Sequence, residues 1–352
     1  MTSSLPTPAP SRTAPAPAEP PVLEVDDLAV EFRSRRRTVS AVNGISYSVR
    51  AGETLAVVGE SGSGKSVGAQ AVMGILDVPP ARITSGQIRF RGDDLLTMSR
   101  KEQRAVRGPG IAMVFQDALS ALNPVFTVGH QIGELFRVHR GASRGEAREK
   151  AIELMERVGI PAARQRVDAY PHQFSGGMRQ RVMIAMAIAL DPDILIADEP
   201  TTALDVTVQA QIMDLLSELQ RETGMGMILI THDLGVVNEV ADRVAVMYAG
   251  SIVENGTVDE VLAEPLHPYT QGLMASMPSL ESHGDRLNPV TGTPPDLSAV
   301  PSGCAFHPRC PMARFGRAAA PGKDCARNVP VLREVVPGRT AACHYSEELE
   351  HE

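Results

Sequence analysis

The sequence predicts a layered α/β fold with a largely parallel sheet, and three observations lead to this prediction. Short runs of β-branched and other apolar residues, among them TLAVVG, IAMVFQ and DILIAD, alternate with segments of helical length and spacing. Several of these runs are followed directly by Gly or by a carboxylate, as is typical of buried strands that end at a ligand-binding edge. Apolar residues make up 43% of the 352 residues, which is enough for a substantial core. Strands that alternate with helices favour a parallel sheet with helices packed on its faces.

The chain opens with a segment that we expect to be disordered. Residues 1–21 consist mainly of Pro, Ala, Ser and Thr and contain almost no large apolar side chains. Such a segment cannot bury enough surface to offset the entropy that is lost on ordering. It also lacks the apolar stretch of a secretory signal, and no apolar run approaches the roughly 18 residues of a membrane span. We therefore expect a cytosolic chain.

The body of the chain, residues 22–265, is predicted to contain the regular elements. It begins with the alternating strand VLEVDDLAVEF and a second alternating segment that ends in the buried strand TLAVVG. GAQAVMGIL predicts a helix, and IAMVFQ predicts the next strand. Helical patterning, including VGHQIGELFRVHR and GEAREKAIELMERVG, then fills an insertion at about residues 117–190. The strands DILIAD and GMGMILITHD follow, separated by the amphipathic helix VQAQIMDLLSELQRETG.

The end of the chain, residues 266–352, is predicted to be an irregular extension. Its segment GTPPDLSAVPSGCAFHPRCP contains too many Pro and Gly residues for long helices or strands. The net charge of the whole chain is −8. A nucleic-acid-binding protein normally carries a basic surplus, so we expect no nucleic-acid partner.

A phosphate-binding motif lies between a predicted strand and a predicted helix. Residues 59–66, GESGSGKS, match the pattern G-x-x-x-x-G-K-[ST]. Small residues allow backbone N–H groups to point at phosphate oxygens, and the helix N-terminus adds a favourable dipole. Lys65 is expected to reach the β- and γ-phosphates, and the Ser66 hydroxyl to bind Mg²⁺. The predicted phosphate-binding residues are Gly59, Ser61, Gly62, Ser63, Gly64, Lys65, Ser66 and Val67.

A second motif combines a buried strand with two carboxylates. Residues 194–199, ILIADE, present charge only at the C-terminal end of the strand, where ligands bind in open α/β sheets. Asp198 is expected to hold Mg²⁺, and Glu199 to position or polarise the water that attacks the γ-phosphate. A strand followed by a solvated acidic turn is the alternative, which the phosphate motif about 130 residues earlier disfavours.

A third motif identifies the family. FSGGMRQR, residues 174–181, followed by a helix and ILIADEP, resembles the signature of the ATP-binding-cassette (ABC) family. The resemblance implies a P-loop NTPase fold with a RecA-like core, an antiparallel β subdomain and a helical subdomain. It also implies that four residues act in trans and complete the ATP site of a partner subunit: Ser175, Gly176, Gly177 and Gln180. A helix N-cap followed by a pair of glycines is the alternative interpretation.

Three further residues lie where the family has functional positions. The resemblance implies that Gln116 contacts Mg²⁺ and the attacking water, and that His232 contacts the γ-phosphate. It implies that Asp205 belongs to the loop that links the sites of the two subunits. The expected catalytic residues are then Glu199, His232 and Gln116, and the expected Mg²⁺ ligands are Ser66, Gln116 and Asp198.

The adenine-binding residue is less clearly marked than the phosphate-binding residues. The family stacks the base on an aromatic side chain upstream of the phosphate motif. Phe32, at the end of the first predicted strand, is the first candidate, and Tyr47 is the second. A core position for Phe32 is the alternative.

Longer matches narrow the resemblance to one subfamily. FQDALSALNP, YPHQFSGGMRQRVMIAMAIA and IADEPTTALDVTVQAQI resemble the D-type ATP-binding subunits of dipeptide and oligopeptide ABC importers, and HPYTQGLMASMP fits their C-terminal extension. The resemblance covers roughly residues 22–345. It implies ATP hydrolysis that drives peptide import, with nickel or another small solute as the alternative cargo. A soluble ABC ATPase that acts in DNA repair or translation is the alternative from another class.

The resemblance also implies a set of partners and a location. Two ATP-binding subunits, similar but distinct chains, would form a head-to-tail pair with two ATP molecules between them. The pair would act with two transmembrane permease subunits and an extracytoplasmic substrate-binding protein. The chain would therefore lie at the cytoplasmic face of the cell membrane.

The four cysteines lie close together in the irregular extension. They are Cys304, Cys310, Cys325 and Cys343. Disulfides are unexpected in a cytosolic protein, and metal binding would explain the clustering, since a metal can replace a missing core. The importer resemblance implies a 4Fe–4S cluster on these residues. Zinc and unligated, buried thiols are the two alternatives.

Overall fold

The computed structural model describes residues 20–34, 37–202, 204–276 and 290–349. The predicted disordered tail, residues 1–21, lies almost entirely outside the described residues. The strands are β1 (Leu23–Arg33), β2 (Thr38–Val49), β3 (Thr54–Val58), β4 (Ala81–Phe90), β5 (Asp93–Asp94), β6 (Ile111–Val114), β7 (Ile194–Asp198), β8 (Gly226–Thr231), β9 (Arg243–Tyr248), β10 (Ser251–Thr257), β11 (Arg333–Val336) and β12 (Arg339–Ala341).

Helices join most of these strands. They are α1 (Lys65–Met73), α2 (Arg100–Val106), α3 (Ala118–Ala121), α4 (Val128–Arg140), α5 (Arg144–Arg157), α6 (Ala163–Arg166), α7 (Gly176–Ile188), α8 (Val206–Thr223), α9 (Leu234–Val240), α10 (Val258–Ala263) and α11 (Pro268–Ala275). Short 3-10 turns span Pro171–Gln173, His307–Arg309, Gly316–Ala318 and Ser346–Glu348. In the described ranges, no helix combines the length and the apolar character that crossing a membrane requires.

A large mixed sheet forms the centre of the described molecule, and its strand order is β11-β12-β10-β9-β3-β8-β7-β6. The pairs from β9 through β3, β8 and β7 to β6 are parallel. Every residue of β3, β7 and β8 is buried, as expected for parallel strands that are covered on both faces. The layered α/β fold and the three buried strands predicted from TLAVVG, DILIAD and GMGMILITHD are therefore confirmed.

The two faces of this sheet pack against different partners. Alternate residues of a strand point to opposite faces, so Ile111 and Met113 of β6 join one core cluster, while Ala112 and Val114 join the other. The first cluster includes α1 and a smaller antiparallel sheet of order β2-β1-β4-β5. The second cluster includes α4, α5, α7 and α8. The strand predicted from VLEVDDLAVEF is β1 and belongs to the smaller sheet.

The segment between β6 and β7 is helical, as its sequence pattern predicts. VGHQIGELFRVHR forms α4 and begins after Thr127, whose side chain accepts a hydrogen bond from the His130 N–H. The next helix, α5, begins after Ser143, and Ser143 and Glu146 form a reciprocal capping box. These caps satisfy N–H groups that the first turn of a helix leaves without a partner.

The predicted extension is not irregular throughout, because its first described residues, 266–276, contain α11. Its second described part, residues 290–349, has little regular structure but packs closely on the body. We call it the C-terminal segment. Its hairpin, β11 and β12, joins the large sheet through pairing of β12 with β10. Phe306 lies against Tyr248 and Tyr269, with ring centroids 5.2 and 5.4 Å away. The boundary predicted at residue 265 stays a prediction.

Candidate active site

The phosphate motif forms a tight loop between β3 and α1. Gly59 has a φ of 154°, and a Cβ atom at this position would lie 2.2 Å from the Met247 carbonyl oxygen. Gly64 has a φ of 100°, and its Cβ would lie 2.3 Å from the Ala41 carbonyl oxygen. Both positions therefore require glycine, because only glycine combines this backbone conformation with so close an approach.

Lys65 is buried at the base of this loop. Its ammonium donates hydrogen bonds to the carbonyl oxygens of Gly59, at 2.7 Å, and Glu60, at 3.0 Å. Burial lowers the pKa of Lys65, whereas the nearby carboxylates, Glu199 first, act in the opposite direction. The carboxylates thus favour the charged ammonium in the loop that is predicted to receive phosphates.

Ser66 and Asp198 meet at the end of β7. The Ser66 hydroxyl donates to a carboxylate oxygen of Asp198 at 2.9 Å. Burial raises the pKa of Asp198, while the hydrogen bond from Ser66 lowers it. A hydroxyl and a carboxylate are both hard oxygen ligands, and Mg²⁺ in phosphate sites is held by few protein ligands together with substrate phosphates. The pair therefore fits the predicted Mg²⁺ site.

The three predicted catalytic residues come together beside this pair. One oxygen of Glu199 accepts hydrogen bonds from Gln116 Nε2 and from the Thr202 hydroxyl, both at 2.9 Å. Its other oxygen lies 3.6 Å from Nδ1 of His232. Glu199 has a φ of 44°, which is rare for residues other than glycine and is common at functional sites. Thr202, which the sequence analysis did not single out, completes the support of this carboxylate.

Most of these groups, but not Asp198 or Thr202, line one open cavity. Its volume of about 560 Å³ is within the size range of ligand sites. Neither Phe32 nor Tyr47 is among its lining residues. Phe32 is partly buried against the core cluster below the smaller sheet, and Tyr47 is 9% exposed. The sequence analysis did not predict two apolar lining residues, Ala41 and Leu297. Ala41 lies in β2 and Leu297 lies far along the chain, so neither belongs to one of the motifs. The cavity is lined by Ala41, Glu60, Ser61, Gly62, Ser63, Gly64, Lys65, Ser66, Val67, Gln116, Glu199, His232 and Leu297.

The predicted signature residues lie apart from this cavity, at the start of α7. Ser175 is the N-cap, and its side chain accepts a hydrogen bond from the Met178 N–H at 3.4 Å. A Cβ at Gly177 would lie 2.7 Å from a methyl group of Val208, whereas Gly176 has more room. Gln180 is buried. Asp205, in turn, is the N-cap of α8. None of these residues lines the cavity, which is compatible with the predicted action in trans.

Comparison with known proteins identifies the family. Two family models match the chain, ABC transporter over residues 42–202 and the oligopeptide/dipeptide transporter C-terminal region over residues 253–315. The dipeptide transport ATP-binding protein DppD of Bacillus subtilis is 54% identical over 290 residues, which cover 82% of this chain and 87% of DppD. The oligopeptide transport ATP-binding protein OppD of the same organism is 56% identical over 286 residues, covering 81% and 80%. This chain belongs to the family of ABC transporter ATP-binding proteins.

Solved ABC structures share the fold. A dimeric ATP-binding cassette, MJ0796, in a post-hydrolysis state with ADP and Pi, matches with a TM-score of 0.60 and 26% identity, covering 67% of this chain and 98% of that one. CbiO1 from Clostridium perfringens, part of an ABC transporter complex, matches with a TM-score of 0.58 and 32% identity, covering 70% and 92%. The predicted ABC ATPase fold is therefore supported, and ATP is the nucleotide of this family.

The predicted 4Fe–4S cluster of this ABC protein is wrong. In the ranges that the structure describes, no group of three or more His, Cys, Asp or Glu side chains is placed to hold a metal ion. The four cysteines border one cavity of about 20 Å³, room for a single water molecule. Burial raises the pKa of Cys304 to about 11 and that of Cys310 to about 12, and it also raises the pKa of Cys343. Burial thus favours the protonated form of these three thiols, which can pack as small apolar side chains.

Proposed function

We propose that this chain is the ATP-hydrolysing subunit of an ABC importer for peptides. The named relatives DppD and OppD are ATP-binding proteins of dipeptide and oligopeptide transport, and a peptide-transporter family model matches residues 253–315. The function is supported most directly by the convergence of Lys65, Ser66 and Glu199 on one cavity, with Asp198 hydrogen-bonded to Ser66.

The phosphate loop and the end of β7 have different roles in the proposed reaction. The loop N–H groups and Lys65 bind and orient the phosphates of ATP. Ser66, Asp198 and Gln116 would hold Mg²⁺, which would neutralise phosphate charge. Glu199 positions the attacking water and polarises it. The hydrogen bonds from Gln116 and Thr202 fix the carboxylate so that one oxygen stays directed towards His232. Phosphoryl transfer to water depends mainly on such positioning and on charge stabilisation.

The signature residues act on the ATP of a second subunit. Ser175 and the N–H groups of Gly176 and Gly177 lie at the start of α7, where the helix dipole favours anions. Asp205, the N-cap of α8, lies in the loop that links the two sites. ATP then lies between the phosphate loop of one subunit and the start of α7 in the other. Phe32 is the residue that we expect to stack on adenine.

The importer contains more than this subunit. The second ATP-binding subunit is a similar but distinct chain, and the pair acts with two transmembrane permease subunits and an extracytoplasmic substrate-binding protein. The chain lies at the cytoplasmic face of the membrane and is held there by protein contacts. Binding of ATP closes the pair, hydrolysis reopens it, and the region of Gln116 with the neighbouring helices α3–α7 transmits the motion.

Replacement of Glu199 by Gln tests the proposed site. The amide has the shape of the carboxylate but cannot act as a base, so we expect ATP binding to persist while hydrolysis falls by about 10²–10⁴-fold. Steady-state ATPase assays and nucleotide titrations measure the two effects separately. Glu218→Gln, an exposed change on α8, is the matched control and is expected to hydrolyse ATP at the normal rate. Near-normal hydrolysis by Glu199→Gln would contradict the role of Glu199.

A further inference from the structure

The phosphate loop is connected to the C-terminal segment by a two-pronged ion pair. Arg309 donates from Nη1 and Nη2 to the two carboxylate oxygens of Glu60, at 2.6 and 2.9 Å. Glu60 is the second residue of the loop, follows Gly59 directly and borders the cavity. Its carbonyl oxygen accepts a hydrogen bond from Lys65. The segment after residue 290 therefore contacts the nucleotide site through a residue of the loop itself.

The C-terminal segment holds Arg309 in place. The Arg309 side chain is 5% exposed. Its Nε donates to the Thr291 carbonyl oxygen at 2.8 Å, and Nη2 also reaches the Val290 carbonyl oxygen at 3.3 Å. The guanidinium lies 5.8 Å from the ring centre of Tyr248 and 5.9 Å from that of Phe306. A planar fork that is fixed on several sides loses little freedom when it binds a carboxylate.

A second contact fixes the backbone of the same loop residue. The Glu60 N–H donates to the hydroxyl of Tyr269 at 2.9 Å. Tyr269 lies in α11 and is fully buried. Leu297 of the C-terminal segment also lines the cavity. Backbone and side chain of Glu60 are thus both held by residues that follow the last strand of the ATP-binding body.

The negative charge of Glu60 makes its pairing with Arg309 important for ATP binding. An unpaired carboxylate that borders the cavity would repel the phosphate groups, because ATP carries several negative charges. The guanidinium neutralises this carboxylate and, by holding both of its oxygens, fixes its orientation. Tyr269 restricts the loop backbone in addition.

We propose that Arg309 is a positioning residue for ATP, which neutralises and orients Glu60 so that the phosphate loop accepts the nucleotide. The proposal rests on the nucleotide site described under the proposed function. It gives the C-terminal segment a direct part in ATP binding through Arg309, while Tyr269 of α11 holds the loop backbone.

The test separates charge neutralisation from simple stabilisation. For Arg309→Met we expect the KM for ATP to rise about tenfold with kcat within about threefold, since one unpaired carboxylate then faces the phosphates. Adding Glu60→Gln removes that charge, so the double variant is expected to recover most of the lost affinity. Arg309→Lys keeps the positive charge but loses the two-pronged hydrogen bonding of the guanidinium. Its KM for ATP is expected to lie between that of the parent chain and that of Arg309→Met.

A matched control comes from the same segment. Arg339 is also 5% exposed and pairs with the buried Glu254 at 3.4 Å, but neither residue lines the cavity. Arg339→Met is expected to lower the thermal midpoint and leave the KM for ATP unchanged. An Arg309→Met variant with a KM within twofold of the parent would overturn the proposal, as would a raised KM that Glu60→Gln does not reverse. If the parent chain does not hydrolyse ATP, the proposed function fails instead.

Discussion

At the scale of single residues, two adjacent carboxylates receive different tasks from their surroundings. Asp198 is the last residue of β7, is buried and accepts a hydrogen bond from Ser66. Glu199 follows in a left-handed backbone conformation that turns its side chain towards the cavity, where Gln116 and Thr202 support it. The difference in environment, more than the type of residue, makes one a candidate metal ligand and the other a candidate base.

Motif spacing predicted most of the residues of the candidate site but not all of them. The sequence patterns place Lys65, Ser66 and Glu199 at strand ends, and parallel strands bring such ends to one edge of the sheet. Leu297 lines the same cavity and Arg309 pairs with Glu60 at its border, although both lie in an irregular segment more than 200 residues after the phosphate motif. No local pattern encodes that approach, because it depends on how the segment folds back onto the body.

The glycine at position 59 provides a stability prediction at this scale. In Gly59→Ala the new Cβ would meet the Met247 carbonyl oxygen at 2.2 Å, so the loop must shift. We expect ATP binding to be lost and the midpoint of thermal unfolding to fall. Gly62→Ala is the control: its φ of 80° is also unfavourable for alanine, but no atom lies within 4 Å of the added Cβ. Equal loss of ATP binding in both variants would show that the contact with Met247 is unimportant.

At the scale of secondary-structure elements, two helix N-cap residues can be compared, one with a structural role only and one with an additional proposed role in ATP binding. Ser143 caps α5 and Ser175 caps α7, and each side chain accepts a hydrogen bond from the N–H three residues on. Replacing either by Ala is expected to cost about 1 kcal/mol of stability. Only Ser175→Ala is expected to slow ATP hydrolysis in the assembled transporter, because only Ser175 is proposed to bind the partner's ATP. Thermal unfolding and ATPase assays on both variants check this, and equal ATPase rates would contradict the role in trans.

The start of α11 predicts a pH dependence of stability. His267 is 1% exposed, and burial lowers its pKa to about 3, against an ordinary value of 6.5. Below pH 6.5 the unfolded chain therefore binds a proton that the folded chain does not, and stability falls as the pH falls. From pH 7 to pH 5 the loss is about 2 kcal/mol.

The matched variant for this prediction is His267→Asn. His267 Nδ1 accepts a hydrogen bond from the Tyr269 N–H at 3.0 Å, and an Asn carbonyl oxygen can take over that cap without titrating. Unfolding of both proteins in urea at pH 7 and pH 5 gives the loss of unfolding free energy with falling pH for each. In the difference between the two proteins, the contributions of other titrating groups, such as Glu254, largely cancel. A stability that falls equally in both proteins would argue against a neutral, buried His267.

Elements were predictable where one strand or helix carries its own pattern. The fully apolar β3, β7 and β8 and the periodic α4 and α5 could be predicted, because burial on both faces or on one stripe leaves a signal in the sequence. The hairpin of β11 and β12 could not. Its residues 333–341 include charged and exposed side chains, and β12 becomes part of the sheet through pairing with β10, which lies about 80 residues earlier.

At the scale of the whole molecule, the large sheet separates two cores and brings the site residues to one edge. The smaller antiparallel sheet packs on one face and the helices from the β6–β7 segment pack on the other. The loops after β3, β6, β7 and β8 supply Lys65, Gln116, Glu199 and His232 to one cavity. This convergence is what the family resemblance implied, and it follows from the parallel strand order.

The cysteines show where a sequence pattern is insufficient at this scale. Their spacing shows that four thiols lie within 40 residues, but it does not show how the side chains are oriented or what surrounds them. In the folded molecule the cavity that they border includes Phe306 and Tyr345, and desolvation favours the protonated thiols over thiolate ligands. The 4Fe–4S cluster that the importer resemblance implied on these cysteines was therefore wrong.

The central claim is that ATP hydrolysis at the Glu199 site drives the entry of peptides. The most direct measurement is uptake of a labelled oligopeptide into proteoliposomes that contain the complex that co-purifies with this chain. The binding protein is added outside the proteoliposomes, and ATP is enclosed inside. The account predicts ATP-dependent accumulation with the parent chain and none with Glu199→Gln. Equal accumulation with both chains, or ATP hydrolysis without any peptide uptake, would contradict it.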